Sequence, residues 1–398
     1  DVSLAALARI DRAVESFEFD ANDFKDVRVG EKRLIAADQI RKLAEKLGRI
    51  PAGPHRITLM REELYARLES RLKQMAGTDE ALDELEALEA DEQLRIFGEL
   101  IAPTDEQEER ALALRYLTDR YADAFAAVEN DAWLRIDRIG MRLLETDGLA
   151  PLEWLYLKMA LTGLGNPDAK YVMVDEVQDY TAAQLAVLAR YFRRAHFLLL
   201  GDPNQAIVPD TATFDEVREV FQAARGAVEE CRLMTSYRST PEITALFASL
   251  LPPEEQLQVS SIQRADEPPT VRAFGDDAYA DALHAAVAGA RAAEGLAAVI
   301  VPWKHEAKRL QQLLGDDAPP LLDERGELPE SGIVLITLKL AKGLEFDHVI
   351  VPDASPRVFP ADDDLARRRL YTTLSRATRG IAVLARGALT PLLEGAAS

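Results

Sequence analysis

The segment Tyr171–Tyr180 reads YVMVDEVQDY, and it decides how the rest of the chain is interpreted. Four residues typical of a β-strand lead directly into Asp175 and Glu176, and a third acid, Asp179, follows three positions later. A solvated charge run has no such strand in front of it. In open parallel sheets, ligands bind outside the carboxyl ends of the strands. Carboxylates at this place can hold Mg²⁺ through water and activate an attacking water molecule, so we interpret them as facing a metal-bound phosphate.

The alternation of strand and helix continues from Pro151 towards the end of the chain. Apolar runs such as HFLLL, AAVIVP, GIVLIT and DHVIVPD are separated by segments with helical periodicity. Near-continuous apolar strands joined by helices predict parallel sheets that are covered on both faces. Two more polar groups follow strand ends, GDPNQ at 201–205 and YRS at 237–239. We expect these groups to converge with the acids after YVMV, because the carboxyl ends of parallel strands share one edge of a sheet.

The region before Leu149 has a different pattern, with apolar residues spaced for helices and a short predicted hairpin near residue 30. Its segment TDEALDELEALEADEQ is the most acidic in the chain, although Leu82, Leu85 and Leu88 give it an apolar stripe. We interpret this segment as a helix with a solvated acidic face, and a dedicated binding surface is the alternative. The predicted fold class is therefore α/β, with two parallel-sheet lobes preceded by a mostly helical region.

Composition limits the class of partner. Lys plus Arg total 47 against 68 Asp plus Glu, a formal net charge of -21, so any contact with nucleic acid must use a local basic strip on an acidic body. An acidic body also suits a basic protein partner. The single cysteine, Cys231, excludes an intrachain disulfide and predicts a reducing, cytoplasmic setting. The five histidines are too scattered for a structural zinc site, and no apolar run is long enough to span a membrane.

Five segments at strand ends, in order along Tyr171–Leu384, resemble motifs II to VI of superfamily 1 helicases of the UvrD/Rep type. They are VDEVQD, LLLGDPNQ, SYRST, ITLKLAKGLEFDHVIVPD and LYTTLSRA. The resemblance implies two RecA-like lobes, the first of them incomplete, and an ATPase that uses ATP and Mg²⁺. The implied division is a helical insertion at 1–150, the carboxyl half of the first lobe at 151–255 and the second lobe at 256–398.

The resemblance also implies a catalytic set. It consists of a Mg²⁺-coordinating acid, a catalytic base, a glutamine that senses the terminal phosphate and two arginines that contact the γ-phosphate: Asp175, Glu176, Gln205, Arg238 and Arg376. Phosphoryl transfer depends on positioning and on neutralising charge, which these residue types supply. The two arginines are expected to face one cleft from opposite lobes, so that ATP holds the cleft closed and hydrolysis releases it.

Further contacts follow from the same resemblance. Tyr237 resembles the aromatic residue that stacks on adenine. The other nucleotide contacts are predicted in the GDPNQ and KGLEF segments, at Asp202, Gly343 and Glu345. Contacts with nucleic acid are predicted in and beside ITLKLAK, at Thr337, Lys339 and Lys342.

The chain departs from the UvrD/Rep pattern in three ways. No G-x-x-x-x-G-K-[ST] occurs anywhere, so the phosphate cradle and its lysine are missing, and we expect that the chain begins within a longer protein. This chain alone is therefore predicted to be inactive as an ATPase. After GDPNQAI the chain reads VPDTATF, where the family's DNA helicases carry stacking aromatics. Lys339 stands where the family usually has histidine, and a phosphate contact there would offset part of the lost stacking.

This pattern is most similar to the HelD branch of the family, the RNA-polymerase-associated ATPases, in which a helical insertion precedes motif II. The helical region directly before the YVMV strand has the matching place and size. The resemblance implies an ATPase that binds RNA polymerase and releases or recycles it from nucleic acid, with DNA favoured over RNA. Two alternatives stay open, a UvrD/Rep-type DNA helicase acting in repair and a catalytically inactive binding module on the same fold.

Overall fold

The computed structural model describes residues 2–233, 235–236, 238–256, 260–263 and 268–396. The chain forms two compact units. Unit 1 comprises Asp1–Val172 with Ala182–His196, and unit 2 comprises Met173–Thr181 with Phe197–Ser398. Within the described ranges, no helix has both the length and the apolar character needed to cross a membrane.

Unit 1 is mostly helical. Its elements are α1 (Leu4–Glu15), β1 (Val27–Val29), β2 (Lys32–Ile35), α2 (Ala37–Lys46), α3 (Pro54–Met75), α4 (Asp79–Glu86), α5 (Ala90–Phe97), α6 (Glu106–Arg120), α7 (Ala122–Glu129), α8 (Ile136–Leu144), α9 (Pro151–Thr162) and α10 (Ala182–Tyr191). Two further strands, β3 (Tyr171–Val174) and β4 (His196–Leu199), are divided between the two units.

The longest helix, α3, organises the core of unit 1. It begins with Pro54 at its first position, where the missing backbone N–H costs nothing. Apolar residues three and four apart lie on one face of a helix, and Ile57, Met60, Leu64 and Leu68 on that face are fully buried. β1 and β2 form the predicted antiparallel hairpin. The helical periodicity and the hairpin of this region are confirmed.

The acidic segment forms two short helices rather than one. Thr78 caps α4 by accepting a hydrogen bond from the backbone N of Ala81, and Gly98 ends α5 with φ 80. Leu85 is buried, whereas most carboxylates of the two helices are exposed. The acids are exposed, as both interpretations of this segment require, and the predicted single helix is corrected to two.

Unit 2 is built on parallel strands. Its elements are α11 (Phe214–Arg225), β5 (Thr235–Ser236), α12 (Pro241–Ala248), α13 (Pro253–Gln256), β6 (Ser260–Ser261), β7 (Thr270–Phe274), α14 (Asp276–Ala292), β8 (Leu296–Val301), α15 (Lys304–Leu314), β9 (Gly332–Thr337), α16 (Leu338–Ala341), β10 (Phe346–Val351), α17 (Asp364–Leu374) and β11 (Ala377–Arg386). Short 3₁₀ turns lie at Val177–Asp179, Pro203–Gln205, Gly315–Asp317 and Pro391–Ala396.

A five-stranded parallel sheet forms the centre of unit 2, in the order β7-β11-β10-β8-β9. Every residue of β8 is buried, because alternate side chains enter two different cores. Val299 packs with apolar residues of α14 and α15, and Ile300 packs with apolar residues of α12 and α17. Both faces of this sheet are therefore covered by helices. The predicted α/β class with a covered parallel sheet is confirmed.

The YVMV strand, β3, is less covered by neighbouring elements than its sequence predicts. β3 pairs with β4 in a two-stranded sheet. Tyr171 is 81% exposed, Met173 67% and Leu198 50%, so one face of YVMV and HFLL remains open. The prediction of two covered faces is wrong for this pair, since side chains alternate between faces and only one face is packed.

The two compact units do not coincide with the predicted boundaries at residues 150 and 255. α9 and α10 pack against α1, and α9 also packs against α3, which joins both helices to unit 1. The segments that follow β3 and β4 belong instead with unit 2. The predicted functional division into an insertion and two lobes stays a prediction.

Candidate nucleotide-binding site

The acids after β3 lie in unit 2, on a strained turn. Asp175 is exposed, and its Oδ1 accepts a hydrogen bond from the backbone N of Glu176 at 2.9 Å. Glu176 adopts φ 51 and ψ 45, the left-handed region that few residues with a side chain occupy. Such strain concentrates at functional sites. The turn at Val177–Asp179 then brings the next two polar side chains, Gln178 and Asp179, to the same place.

Gln178 joins the motif II segment (Asp175–Asp179) to the motif III segment (Gly201–Gln205). Its side chain is fully buried, and its Nε2 donates to the carboxylate of Glu176. Its Oε1 accepts from the backbone N of Asp202 at 3.1 Å. Gly201 makes this approach possible, because an added Cβ would overlap Gln178 Oε1. In the sequence, Gln178 belongs to the polar group after YVMV that is expected to converge with the other strand ends, but its position between two acids predicts no role of its own.

Arg376 carries the buried positive charge of the site. It lies just after α17 and is 4% exposed. One guanidinium nitrogen donates to Gln205 Oε1 at 2.9 Å, and another donates to the backbone oxygen of Leu344 at 3.4 Å. Burial lowers the pKa of the Arg376 guanidinium, while the carboxylates of Glu176 and Glu345 act in the opposite direction. Arginine remains protonated in proteins, so the site retains a cation that can bind an anionic group.

α17 also holds the remainder of the motif III segment. Arg367 donates to Asn204 Oδ1 at 3.1 Å, and the Tyr371 hydroxyl lies near the carboxylate of Asp202. Burial raises the pKa of Tyr371, and Asp202 raises it further. Arg367 and Tyr371 are not predictable from the sequence, because no spacing along the chain shows that α17 packs on a turn more than 160 residues earlier.

Lys342 lies against the acids of motif II. Its side chain is 9% exposed, and its Nζ is 2.5 Å from Asp179 Oδ1 and 3.6 Å from Glu176 Oε2. The same Nζ donates to the backbone oxygen of Gln205 at 2.9 Å. In this arrangement the ammonium has little surface left for the phosphate contact that the sequence predicts. Gly343 follows with φ 84, a left-handed turn that glycine adopts without strain.

The remaining predicted residues fall into three groups. Arg238 forms an exposed ion pair with Glu345 at 2.8 Å. After burial, which is the main cause, the positive charge of Arg238 also lowers the pKa of the Arg376 guanidinium. Thr337 ends β9 and is buried, while Lys339 is exposed on α16. Tyr237, the predicted adenine-stacking residue, lies outside the described residues.

The residues present fit part of a Mg²⁺–nucleotide site. Asp175 offers an exposed carboxylate at a strand end, which suits Mg²⁺ held mainly through water and phosphate oxygens. In the described part of the chain, no group of three or more His, Cys, Asp or Glu side chains could hold a metal. The phosphate-binding loop is absent from the sequence, so this chain provides the acids and the arginines but not the cradle.

Comparisons with known proteins give family-model matches in two segments of the chain. No curated protein matches the chain. Among solved structures, the C-terminal domain of a possible DNA helicase from Lactobacillus plantarum WCFS1 is 29% identical and covers 40% of this chain and 92% of that chain, but its TM-score of 0.33 is too low to indicate a shared fold. Residues 19–208 match the UvrD/REP helicase N-terminal domain, and residues 332–384 match the UvrD-like helicase C-terminal domain. Two segments of this chain are therefore similar, in this order, to the N-terminal and the C-terminal domains of UvrD-like helicases.

Proposed function

We propose that this chain is the motor part of an ATP-dependent, helicase-like protein of the UvrD type. The observation that carries the proposal is a continuous series of hydrogen bonds from the acid site to the buried guanidinium. The series runs through Glu176, Gln178, Asp202, Gln205 and Arg376. A carboxylate base, an amide and a cation connected in this way are the groups that phosphoryl transfer requires.

Each residue has a role that its position supports. Asp175 would bind the Mg²⁺ that accompanies ATP, and the metal would neutralise phosphate charge. Glu176 would accept the proton of the attacking water. Arg376 would stabilise the charge that develops on the transferred phosphoryl group. Gln205 touches Arg376 directly and is suited to report the presence of the terminal phosphate to the rest of the series.

The test is a substitution that removes the base and keeps the shape. The 398-residue chain alone should turn over almost no ATP, because it has no phosphate-binding loop. In a protein that supplies this loop, Glu176→Gln should abolish phosphate release while ATP binding persists. Glu294→Gln is the matched control, since Glu294 is 90% exposed and precedes the amino end of β8. Equal loss of binding and turnover in Glu176→Gln would make Glu176 a structural residue instead.

We further propose that the protein is HelD-like and acts on RNA polymerase, releasing or recycling it from nucleic acid. The helical region before β3 and its exposed acidic helices, α4 and α5, support this proposal. A surface of that sign is repelled by phosphate but suits the basic channels in which a polymerase holds nucleic acid. Capture of purified RNA polymerase, with and without ATP, tests it. A protein that binds forked DNA and ignores the polymerase would favour the repair helicase.

A further inference from the structure

A cleft of about 560 Å³ opens in unit 2, between α15 and the loops that follow β10 and β11. Part of its lining is apolar and firmly packed, since Val301, Leu310 and Tyr279 are buried. The Tyr279 hydroxyl donates to the backbone oxygen of Pro352 at 2.8 Å, which holds the ring in place. The volume lies in the range of clefts that bind small organic molecules.

The order of the strands gives a second, independent reason to expect a ligand here. β8 and β10 are neighbours in the sheet, but β8 continues through α15 to β9 on one side, and β10 continues through α17 to β11 on the other. α15 packs on one face of the sheet and α17 on the opposite face. Neighbouring strands that diverge in this way leave a crevice outside their carboxyl ends, and open α/β sheets bind ligands there. Val301, which ends β8, and Pro352, which follows β10, both line the cleft.

Two polar side chains of the cleft form no hydrogen bond or ion pair with any residue that the structure describes. Ser355 is 5% exposed, and only its backbone is bonded, the N–H donating to Asp353 Oδ1 at 3.1 Å. Arg309, on α15, is exposed, and its guanidinium is unpaired. Buried polar groups are almost always hydrogen-bonded, so an unpaired hydroxyl at a cleft indicates a place for a ligand atom.

The other charged side chains of the cleft are paired with one another. Arg357 lies 2.8 Å from Glu306 and 3.0 Å from Asp353, and these two carboxylates are only 11% and 12% exposed. Arg386 lies 2.6 Å from Asp276. Together with the unpaired guanidinium, three cations line the cleft beside three carboxylates. A chain of phosphates would meet these carboxylates without a surplus of cations to offset them, whereas a single carboxylate needs only the unpaired guanidinium.

We propose that this cleft binds a small apolar molecule that carries one carboxylate, either a free acid or the C-terminal residue of a peptide. The carboxylate accepts hydrogen bonds from Arg309 and from the Ser355 hydroxyl, and the apolar part packs on Val301 and Leu310. Hydrogen bonds between a guanidinium and a carboxylate are shorter and stronger than those between neutral groups. The site goes beyond the proposed ATPase, because its residues take no part in the hydrogen-bonded series that ends at Arg376.

The experiment measures binding of three probes to this chain by saturation-transfer NMR with titration. The probes are isocaproate, N-acetyl-leucyl-leucine and N-acetyl-leucyl-leucinamide. The dipeptide acid should bind about tenfold or more tightly than its amide, which has the same apolar groups but no charge for the guanidinium. Tighter binding of isocaproate than of the dipeptide acid would support a free acid as the ligand, and the reverse would support a peptide terminus.

Three variants test the assigned contacts. Arg309→Gln should weaken binding of the dipeptide acid about threefold or more and leave binding of the amide unchanged. Ser355→Ala should also weaken binding of the acid, and it removes no hydrogen bond of the described structure. Leu313 lines the cleft and is 41% exposed, so Leu313→Gln should weaken binding of acid and amide alike without disturbing the core. Lys308→Gln is the matched control, because it removes the same charge from α15 outside the cleft, and it should change neither affinity.

The results that would overturn the site are equally specific. Equal affinities for the dipeptide acid and its amide would exclude recognition of a carboxylate. If Arg309→Gln and Ser355→Ala both bind the acid as tightly as the wild type, the probe binds elsewhere on the chain. Displacement of the acid by an equal concentration of inorganic phosphate would make the cleft a general anion site, and the lack of binding of all three probes at millimolar concentration would remove it altogether. None of these results depends on ATP turnover, so the role of Glu176 is tested separately.

Discussion

One glycine decides whether the two acid-bearing segments can meet. An alanine Cβ at position 201 would overlap Gln178 Oε1 and lie 3.0 Å from Val177 Cγ1, inside a region where Gln178 is fully buried. The neighbours that would have to move are a buried amide and a buried aliphatic side chain. Neither is a flexible surface group that can turn aside.

Gly201→Ala should therefore lower the free energy of unfolding by about 1–3 kcal/mol, the usual cost of overpacking. Gly289→Ala is the matched control, because position 289 lies inside α14 with nothing within 4 Å of an added Cβ. That variant should gain about 0.5–1 kcal/mol from helix propensity. Urea unfolding of both variants measures the difference. Equal stabilities would mean that the turn around Gln178 relaxes freely.

The same residues show what the sequence can and cannot predict at this scale. The YVMV run followed by acids is enough to predict a functional turn at Asp175 and Glu176. The role of Gln178 is not predictable, because it depends on the close approach of Gly201 from the next strand. Arg376 is predictable as a cation of the site through its family resemblance, but its burial beside Gln205 depends on tertiary packing.

At the scale of elements, the end of α16 explains why Lys342 differs from Lys339. The chain leaves the helix at Lys342, whose φ and ψ are -60 and 129, and Gly343 then turns it with φ 84. This exit directs Lys342 to Asp179, whereas Lys339 stays exposed on the helix. A helical extrapolation from LKLAK would have kept both lysines on one surface.

A double-mutant cycle tests the bond between Lys342 and Asp179. Lys342→Met should lower the free energy of unfolding by about 1–3 kcal/mol, between the values for exposed and buried ion pairs, because Lys342 is 9% exposed and Asp179 is 35% exposed. Combining it with Asp179→Asn should cost less than the sum of the two single changes. Lys339→Met serves as the exposed control and should change stability by less than about 0.5 kcal/mol. Strict additivity would show that the ion pair does not form in solution.

A second contact between elements makes the stability of the protein depend on pH. Arg357, in the loop after β10, bonds to Glu306 on α15 at 2.8 Å and to Asp353 at 3.0 Å. The Arg357 guanidinium lowers the pKa of Glu306 below its ordinary value of 4.5. A carboxyl with a lowered folded-state pKa binds protons less tightly in the folded chain than in the unfolded one. Its stabilisation is therefore complete above about pH 4.5 and is lost as pH falls through the folded-state pKa.

The stability of the wild type relative to Glu306→Gln should follow this course. The difference should be constant from pH 7 down to about pH 5 and should shrink at lower pH. Thermal unfolding of both proteins across this range measures it. Glu294→Gln removes a 90% exposed carboxylate that lies 3.8 Å from Arg379, and its effect on stability should be small throughout, because such an exposed pair contributes little. A Glu306→Gln difference that grows on acidification would contradict the ion pair.

At the scale of the whole molecule, charge separates two kinds of surface. The chain carries a net charge of -21, yet the start of α15 is basic, and α4 and α5 are rich in exposed acids. The order of elements in unit 2 and its covered sheet could be predicted from strand periodicity alone. The extent of unit 1 could not, because the assignment of α9 and α10 depends on their packing against α1.

The acidic helices provide the last prediction, which rests on the proposed polymerase partner. Exposed charges act mainly on the rate of association, through long-range attraction that salt screens. Replacing five exposed acids of α4, α5 and their link with amides should slow association with RNA polymerase and weaken its salt dependence, with little change in dissociation. These acids are Asp83, Glu86, Glu89, Asp91 and Glu92. Glu84 is retained because its carboxylate is bonded to Arg120 and ties α4 to α6.

A matched variant separates local attraction from total charge. It replaces five exposed acids of unit 2, Asp316, Asp323, Glu324, Glu327 and Glu330, and so changes the net charge by the same amount. Stopped-flow association at several salt concentrations compares the two variants. If both slow association equally, the polymerase responds to net charge and not to the α4–α5 surface. If neither slows it at low salt, the acids of α4 and α5 are a solvated helix face and the contact with the polymerase lies elsewhere.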